Sequence, residues 1–268
     1  MSARSLELLL GPMRAVRRAG FLWAASLAAL VAITVAFWPA FKGATGMTEM
    51  LDQMPPGLVS AFGLQDFGTA AGYLRGNLYA LLVPLLLAGA AVGFTNSLTA
   101  AEEDSGRFEI LLSQPVSHRA VFFGRAVGVF AWVGLLTLVT AAIQLVGDPI
   151  VDLSIPTDRL ASTLVLCGLL GAFHAGLCLA IAGLRARPST VLGVGLFVAF
   201  AGCTVAALFP ISEPLKPLAH LSPWDWALAG DPLTRPTDAW RYAALALPAV
   251  GLALFGVFAF GRRDIRAA

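Results

Sequence analysis

The chain has little charge for its length. Asp, Glu, Lys and Arg make up 13% of its 268 residues, which is about half the share found in soluble globular domains. Hydrophobic residues reach 58% before the 27 glycines are added, and this also exceeds the range of soluble domains. These two departures together exclude a soluble globular domain, a disordered chain and a nucleic-acid-binding surface.

Cysteine and lysine are also scarce. The three cysteines, Cys167, Cys178 and Cys203, have no C-x-x-C spacing, so we predict neither a metal site nor a disulfide. The two lysines, Lys42 and Lys216, do not stand in the Gly-x-x-x-x-Gly-Lys-Ser/Thr loop that binds nucleotide phosphates. No His, Asp and Glu have the spacing of an active site either. The chain is therefore not expected to be an enzyme, and it is expected to bind no cofactor itself.

Six windows of 20 to 26 residues contain no charge at all. A helix crosses the hydrocarbon core with about 20 apolar residues, and such windows are too long for the strands of a membrane barrel. The sequence thus predicts an all-α polytopic membrane protein, a single domain over residues 1–268 with six transmembrane helices. The spans are predicted at about residues 21–37, 78–98, 120–146, 160–182, 191–209 and 242–260.

The basic residues predict the orientation of these spans. With the N-terminus in the cytoplasm, the inner segments carry twelve Lys and Arg residues and the outer segments carry six. Basic residues are retained on the cytoplasmic side. We therefore predict that both termini are cytoplasmic, in a multi-pass protein of the cell (cytoplasmic) membrane.

Three segments outside the spans have recognisable patterns. Residues 5–18 have an apolar side and an arginine-rich side, which is typical of a helix lying in the membrane interface or of an ordinary basic flank of the first span. The long outer segments, residues 42–75 and 211–241, are expected to form short helices at the outer surface. They either cap a cavity there or only anchor the bundle.

An acidic segment follows the second span, on the predicted cytoplasmic side. Thr99 and Glu102 have the spacing of a capping box, in which each side chain binds the other's backbone N–H. Glu102, Glu103 and Asp104 stand in the first turn, where negative charge favours the positive end of a helix dipole. The pattern predicts that a cytoplasmic helix begins at about residue 100.

Apolar residues follow this acidic start at helical spacing. Phe108, Leu111 and Leu112 are predicted to share one face, Pro115 ends the helix, and Ser117 is placed to cap the third span. A solvated loop has no need of an apolar face. We therefore predict a docking helix for a cytosolic partner over about residues 100–113.

This segment resembles the signature of ABC-2 type transporter permeases, the membrane subunits of ATP-binding-cassette exporters. That signature has an acidic stretch, a glycine, a Glu-x-Leu-Leu run and Pro-Val-Ser before the next span. The matching positions are Glu102, Glu103, Asp104, Gly106, Glu109, Leu111, Leu112, Pro115, Val116 and Ser117. Arg107, Phe108 and His118 stand where threonine, leucine and arginine are commoner. The ending Arg262-Arg263-Asp264 also resembles the family.

The resemblance implies that this segment is a coupling helix for a separate nucleotide-binding ATPase. The implied coupling residues are Glu102, Glu103, Asp104, Gly106, Arg107, Phe108, Glu109, Leu111, Leu112 and Pro115. It also implies a dimer with a second permease copy or a homologous permease, ATP and Mg²⁺ held by the partner subunit, and a bacterial membrane. The implied activity is efflux of a drug, an antibiotic or another amphipathic compound.

Three polar residues lie in the spans and are candidates for the transport pathway: His174, Asn96 and Gln144. Intramembrane ionisable groups are functional candidates, although a neutral histidine bonded to a neighbouring helix is the simpler interpretation of His174. An ion-coupled secondary transporter or channel is the alternative function, but such proteins usually carry carboxylates or basic groups in mid-membrane, and there these spans lack them apart from His174.

Small residues recur at every fourth position in the fourth span, at Gly168, Ala172, Gly176 and Ala180. Such a row lets helix backbones approach closely. It predicts close packing of this span against a neighbour.

Overall fold

A computed structural model of the chain describes residues 10–42, 50–51, 53–61, 64, 66–108, 116–185 and 187–263. This part of the chain is helical and contains no strand. Its helices are α1 (Arg17–Phe41), α2 (Pro56–Ala61), α3 (Ala70–Leu74), α4 (Leu82–Leu98), α5 (Ala100–Asp104), α6 (His118–Val151), α7 (Thr157–Gly183), α8 (Pro188–Leu208), α9 (Lys216–Ala219), α10 (Pro223–Leu228) and α11 (Ala239–Phe260). A π-helical turn, Arg75–Tyr79, joins α3 to the start of α4.

Six stretches, some of which join consecutive helices, are long and apolar enough to cross a membrane. This confirms the predicted all-α, six-span architecture. The six stretches are Arg17–Phe41, Ala70–Asp104, His118–Val151, Thr157–Gly183, Pro188–Ile211 and Ala239–Phe260. Each contains one predicted span and extends beyond it. The extension is longest in the second stretch, which begins before the predicted span at Ala70 and continues past it to Asp104. The side that faces the cytoplasm stays a prediction.

The helix α7 lies at the centre of the bundle. It packs against α4, α6, α8 and α11, and its contact with α11 is the most extensive between any two helices described. In the most apolar windows of α7 and of the second span, 61% of residues are buried, against 17% in the fifth span. The helix α8 therefore presents most of its surface to lipid or to another subunit.

Glycines allow α7 and α11 to touch through their backbones. A Cβ atom on Gly176 or Gly183 would lie closer than 3.0 Å to backbone atoms of α11, at Ala249 and Gly256. A Cβ atom on Gly256 would likewise meet the backbone of Leu179. The two glycines on the α7 side of this contact, Gly176 and Gly183, are seven residues apart, and Gly176 belongs to the small-residue row that predicts close packing.

The segment before α1 packs on α6. Residues 10–15 are helical, Pro12 lies against Gly128, and the indole Nε1 of Trp132 donates a hydrogen bond to the Met13 carbonyl at 3.2 Å. Arg14 and Arg17 remain exposed. The apolar side of this predicted interfacial helix therefore faces protein as well as lipid, while residues 5–9 lie outside the described residues.

The long outer segments form short helices, as the sequence predicts. Beneath α10 they enclose a cavity of about 300 Å³ lined by residues that include Arg75, Tyr79, Trp224 and Asp231. Arg75 and Asp231 form an ion pair at 2.5 Å in its wall. Residues of both segments therefore line this cavity, which is open to the outside.

Candidate functional site

The acidic segment begins with a sharp break in the second span. The helix α4 ends at Leu98, and α5 starts after Thr99, whose backbone leaves the helical region at φ −127° and ψ −90°. The Thr99 hydroxyl donates to the Thr95 carbonyl at 2.5 Å. This bond satisfies the hydroxyl within α4, so the Thr99 side chain is not available to the short acidic helix that follows.

The predicted capping box is wrong. The Thr99 side chain makes no capping bond to α5, because its hydroxyl is engaged with Thr95. The Glu103 N–H already reaches the Thr99 carbonyl at 3.0 Å, since the chain passes almost directly from one helix to the next. The Glu102 carboxylate, which a capping box would turn back to Thr99, points to Arg125 instead.

Glu102 and Arg125 form a buried ion pair between α5 and α6. Arg125 Nη2 lies 2.6 Å from Glu102 Oε2, and the two side chains are 9% and 8% exposed. The contact is not aligned as a hydrogen bond, and Arg125 Nε has no hydrogen-bond partner among the described residues. Burial at both ends means that neither charge is solvated well, so each depends on the other.

Glu103 forms a second ion pair, with the segment that follows α11. The Arg263 guanidinium meets both carboxylate oxygens, with Nη1 at 3.2 Å from Oε2 and Nη2 against Oε1. A two-point contact of this kind fixes direction as well as distance. The acidic run and Arg263, which are far apart in sequence, therefore meet in the structure.

Phe108 lies inside the bundle rather than on an outward face. Its ring centroid is 5.3 Å from that of Phe260, which stacks on Phe122 at 4.7 Å. The Arg125 guanidinium lies 5.8 Å from the Phe108 ring. Gly106 adopts a positive φ of 73°, a conformation that favours glycine, and the chain thereby turns Phe108 inward.

This placement corrects the expectation that Phe108 belongs to an apolar face offered to a partner. Among the described residues of the segment, Asp104, Ser105 and Arg107 are exposed, and two of them are charged. The remaining predicted coupling residues, Glu109, Leu111, Leu112 and Pro115, lie outside the described residues. The segment described is thus held by buried contacts on one side and presents charge on the other.

The cap predicted for the third span is confirmed. The Ser117 hydroxyl accepts a hydrogen bond from the Ala120 N–H at 3.2 Å. Because α6 begins at His118 and carries Arg125 two turns later, this cap sets the start of the helix that holds the partner of Glu102.

The three candidate pathway residues are buried and belong to three different helices. The ring Nδ1 of His174 lies 2.8 Å from the Leu170 carbonyl of its own helix, and its Nε2 has no partner among the described residues. Gln144 accepts a hydrogen bond from the Tyr79 hydroxyl at 3.2 Å. Asn96 lies near the end of α4, two turns before Asp104. The structure does not bring the three together.

Sequence reasoning missed two partners in this site, Arg125 and Arg263. Arg125 stands within the predicted third span, and a cation at that depth is a signal for a nearby carboxylate. No comparable signal exists for Arg263, since its pairing depends on where α11 ends. Among the described residues, no three His, Cys, Asp or Glu side chains are grouped as metal ligands would be.

Comparison with known families places the whole described bundle in one group. A family model described as ABC-2 family transporter protein matches residues 12–265. A comparison with curated proteins gives no match. The match covers the six spans, the acidic segment and the Arg-Arg-Asp ending, so the chain belongs to the ABC-2 transporter family and is a multi-pass membrane permease.

Proposed function

We propose that this chain is the permease subunit of an ATP-driven exporter and couples to a separate nucleotide-binding ATPase through residues 100–113. The observation that supports this most directly is the double attachment of the acidic segment, through Glu102 to Arg125 and through Glu103 to Arg263. When a bound ATPase displaces a segment held in this way, the helices to which the segment is attached move with it.

The two attachments lead to different parts of the bundle. Arg125 belongs to α6, and Arg263 follows directly on α11. The helix α11 in turn touches the central α7 through the backbone contacts at Gly183 and Gly256. A force on the acidic segment therefore reaches α6 and, through α11, the central α7.

The mechanism follows from this connection. ATP closes two ATPase subunits on each other, and the exposed side chains Asp104 and Arg107 are the described residues placed to contact them. ATP binding alters access to the pathway because the ATPase contacts differ between an inward-open and an outward-open arrangement. This chain supplies the spans and the rigid link, while the ATPase holds ATP and Mg²⁺.

We propose that the exporter contains two permease chains, this one with a second copy or a homologue, in the bacterial cytoplasmic membrane. The exposed apolar surface of α8 supports such an arrangement, since it is largely unburied in the single chain. The proposed cargo is an amphipathic compound such as a drug or an antibiotic. The apolar bundle surface and the cavity beneath α10 are compatible with a cargo of that chemistry.

Co-purification in mild detergent tests the coupling proposal. The wild-type chain is expected to retain a stoichiometric ATPase, and Leu111→Asp and Glu109→Ala are expected to lose it while still inserting into the membrane. Leu221→Asp and Glu213→Ala are matched controls, because both residues are exposed at the opposite end of the bundle.

Transport is measured on the same variants as ATP-dependent uptake of fluorescent amphipathic compounds into inverted vesicles. The two coupling variants should lose uptake and the two controls should keep it. Full uptake by both coupling variants with normal ATPase capture would refute the coupling assignment. Uptake driven by an ion gradient without any ATPase would show a secondary transporter instead.

A further inference from the structure

Two arginines lie over the same exposed aromatic ring at the predicted cytoplasmic end of the bundle. The guanidinium carbon of Arg262 is 4.1 Å from the centroid of Phe258, and that of Arg119 is 5.6 Å from it. Arg119 comes from the start of α6 and Arg262 from the end of α11. We propose that this pair forms a binding site for the headgroup of an anionic phospholipid.

The position of Phe258 supports a lipid as the ligand. In the second half of α11 the large exposed side chains are all apolar and share one face of the helix, at Leu247, Val250, Leu254, Phe255 and Phe258. Such a stripe faces hydrocarbon in a membrane protein. The next position on the stripe is Arg262, which is also exposed, so the stripe ends in a cation where the apolar surface ends.

The helix α6 presents the same order of residues beside it. Arg119 is exposed at its first turn, and Phe123, one turn further into the bundle, is 48% exposed. The two helices, which contact each other, therefore each carry an exposed ring towards the membrane interior and an arginine beyond it at the end of the bundle. Acyl chains can cover the rings, and a phosphate can bind the arginines.

Contacts within the protein hold the Arg119 side chain close to the segment that carries Arg262. A Cβ atom on Gly261 would lie closer than 3.0 Å to three atoms of the Arg119 side chain, so the stem of Arg119 lies directly across this glycine. Neither arginine pairs with an acidic side chain among the described residues, whereas Arg125 and Arg263 nearby both do. Two like charges fixed over one ring repel each other, and a phosphodiester between them removes that repulsion.

A phospholipid is expected to bind this site more tightly than a free anion does. The guanidinium groups alone would bind inorganic phosphate weakly in water, but a phospholipid also covers the exposed rings of Phe123 and Phe258. Basic side chains near a membrane surface are attracted to anionic lipid headgroups. The proposed lipid would fasten the start of α6 to the end of α11, beside the two ion pairs of the acidic segment.

Lipid titration of the full-length chain tests the proposal. The purified protein in neutral detergent is stripped of lipid and titrated with phosphatidylglycerol, with phosphatidylcholine of the same acyl chains, and with inorganic phosphate. Retained lipid is counted by native mass spectrometry. We expect phosphatidylglycerol to bind most tightly, and the double variant Arg119→Gln/Arg262→Gln to weaken it by about 30-fold.

Two further variants separate a built site from diffuse attraction. Arg185→Gln/Arg187→Gln removes the same charge from an exposed pair at the same end of the bundle, and it is expected to leave the affinity for phosphatidylglycerol unchanged. Gly261→Ala keeps every charge but displaces Arg119, and it is expected to weaken binding. Gly251→Ala, where a methyl group meets open space, is its control.

Each contrary result overturns the proposal. An equal loss in the Arg185/Arg187 variant would mean nonspecific electrostatic attraction, and equal affinity for the two lipids would mean that the headgroup is not recognised. Competition by inorganic phosphate at the same concentration would mean a free-anion site. Loss of ATPase capture by the Arg119/Arg262 variant, with lipid binding intact, would mean a protein contact.

Discussion

Removing the carboxylate of Glu102 should destabilise the permease strongly. Glu102→Ala leaves the Arg125 guanidinium buried without its counter-charge, since the pair is separated by 2.6 Å and each side chain is less than 10% exposed. Loss of one member of a buried ion pair costs about 3–5 kcal/mol of the free energy of unfolding. The pair also orders Phe108 beneath Arg125, so the loss extends into the aromatic cluster around Phe260.

Replacing both charges should recover most of that stability. Glu102→Leu/Arg125→Met fills a similar volume without a buried charge, and such replacements are often neutral or stabilising. The difference between the double variant and the sum of the single variants gives the interaction energy of the pair. Glu213→Ala is the matched control, because Glu213 forms an exposed pair with Lys216, and its removal should leave the stability unchanged within error.

The assay is reversible unfolding of the detergent-solubilised chain by denaturant, followed by tryptophan fluorescence. Glu102→Ala should lower the midpoint and the double variant should restore it. A cost below about 1 kcal/mol for Glu102→Ala, the value of a surface pair, would refute the argument that both charges are buried. An equally damaged double variant would instead indicate that the shape of the side chains matters more than their charge.

Three other predictions concern packing and orientation. Gly256→Ala should destabilise the bundle by about 1–3 kcal/mol through overpacking against the α7 backbone. Gly251→Ala, which meets open space on the same helix, should not, and thermal unfolding compares the stabilities of the two variants. Ser222→Ala should cost about 1–3 kcal/mol, because the hydroxyl donates to the Gly202 carbonyl at 2.7 Å, and a hydroxyl-retaining Ser222→Thr should lose less in the same assay. A phosphatase reporter fused after Ala268 should be inactive, and an active one would reverse the predicted topology.

The charge distribution was sufficient to predict the six spans, because the bilayer excludes charge over a fixed length whatever the helices contact. The row of small residues through Gly176 predicted close packing, and the structure identifies α11 as the neighbour. The cap at Ser117 was predictable because a capping bond is local. All three features depend on the membrane or on residues close in sequence.

The direction of individual side chains in the acidic segment was not predictable in the same way. Glu102 has the spacing of a capping box, but the buried guanidinium of Arg125 attracts its carboxylate more strongly than a backbone N–H does. Phe108 has the spacing of an outward-facing residue, but the turn at Gly106 directs it to Phe260. Both outcomes depend on where α6 and α11 lie, and a single sequence contains no direct signal for that arrangement.

Site-directed cross-linking tests most directly whether the acidic segment contacts an ATPase. A variant without the three native cysteines carries one new cysteine at Asp104, which is exposed beside the anchored Glu103. A short thiol-to-amine cross-linker should join it to the ATPase in membranes, and a cysteine at Asp152, near the opposite end of α6, should give no product. Absence of a product from Asp104 in a complex that retains its ATPase, or a product from Asp152, would contradict the account.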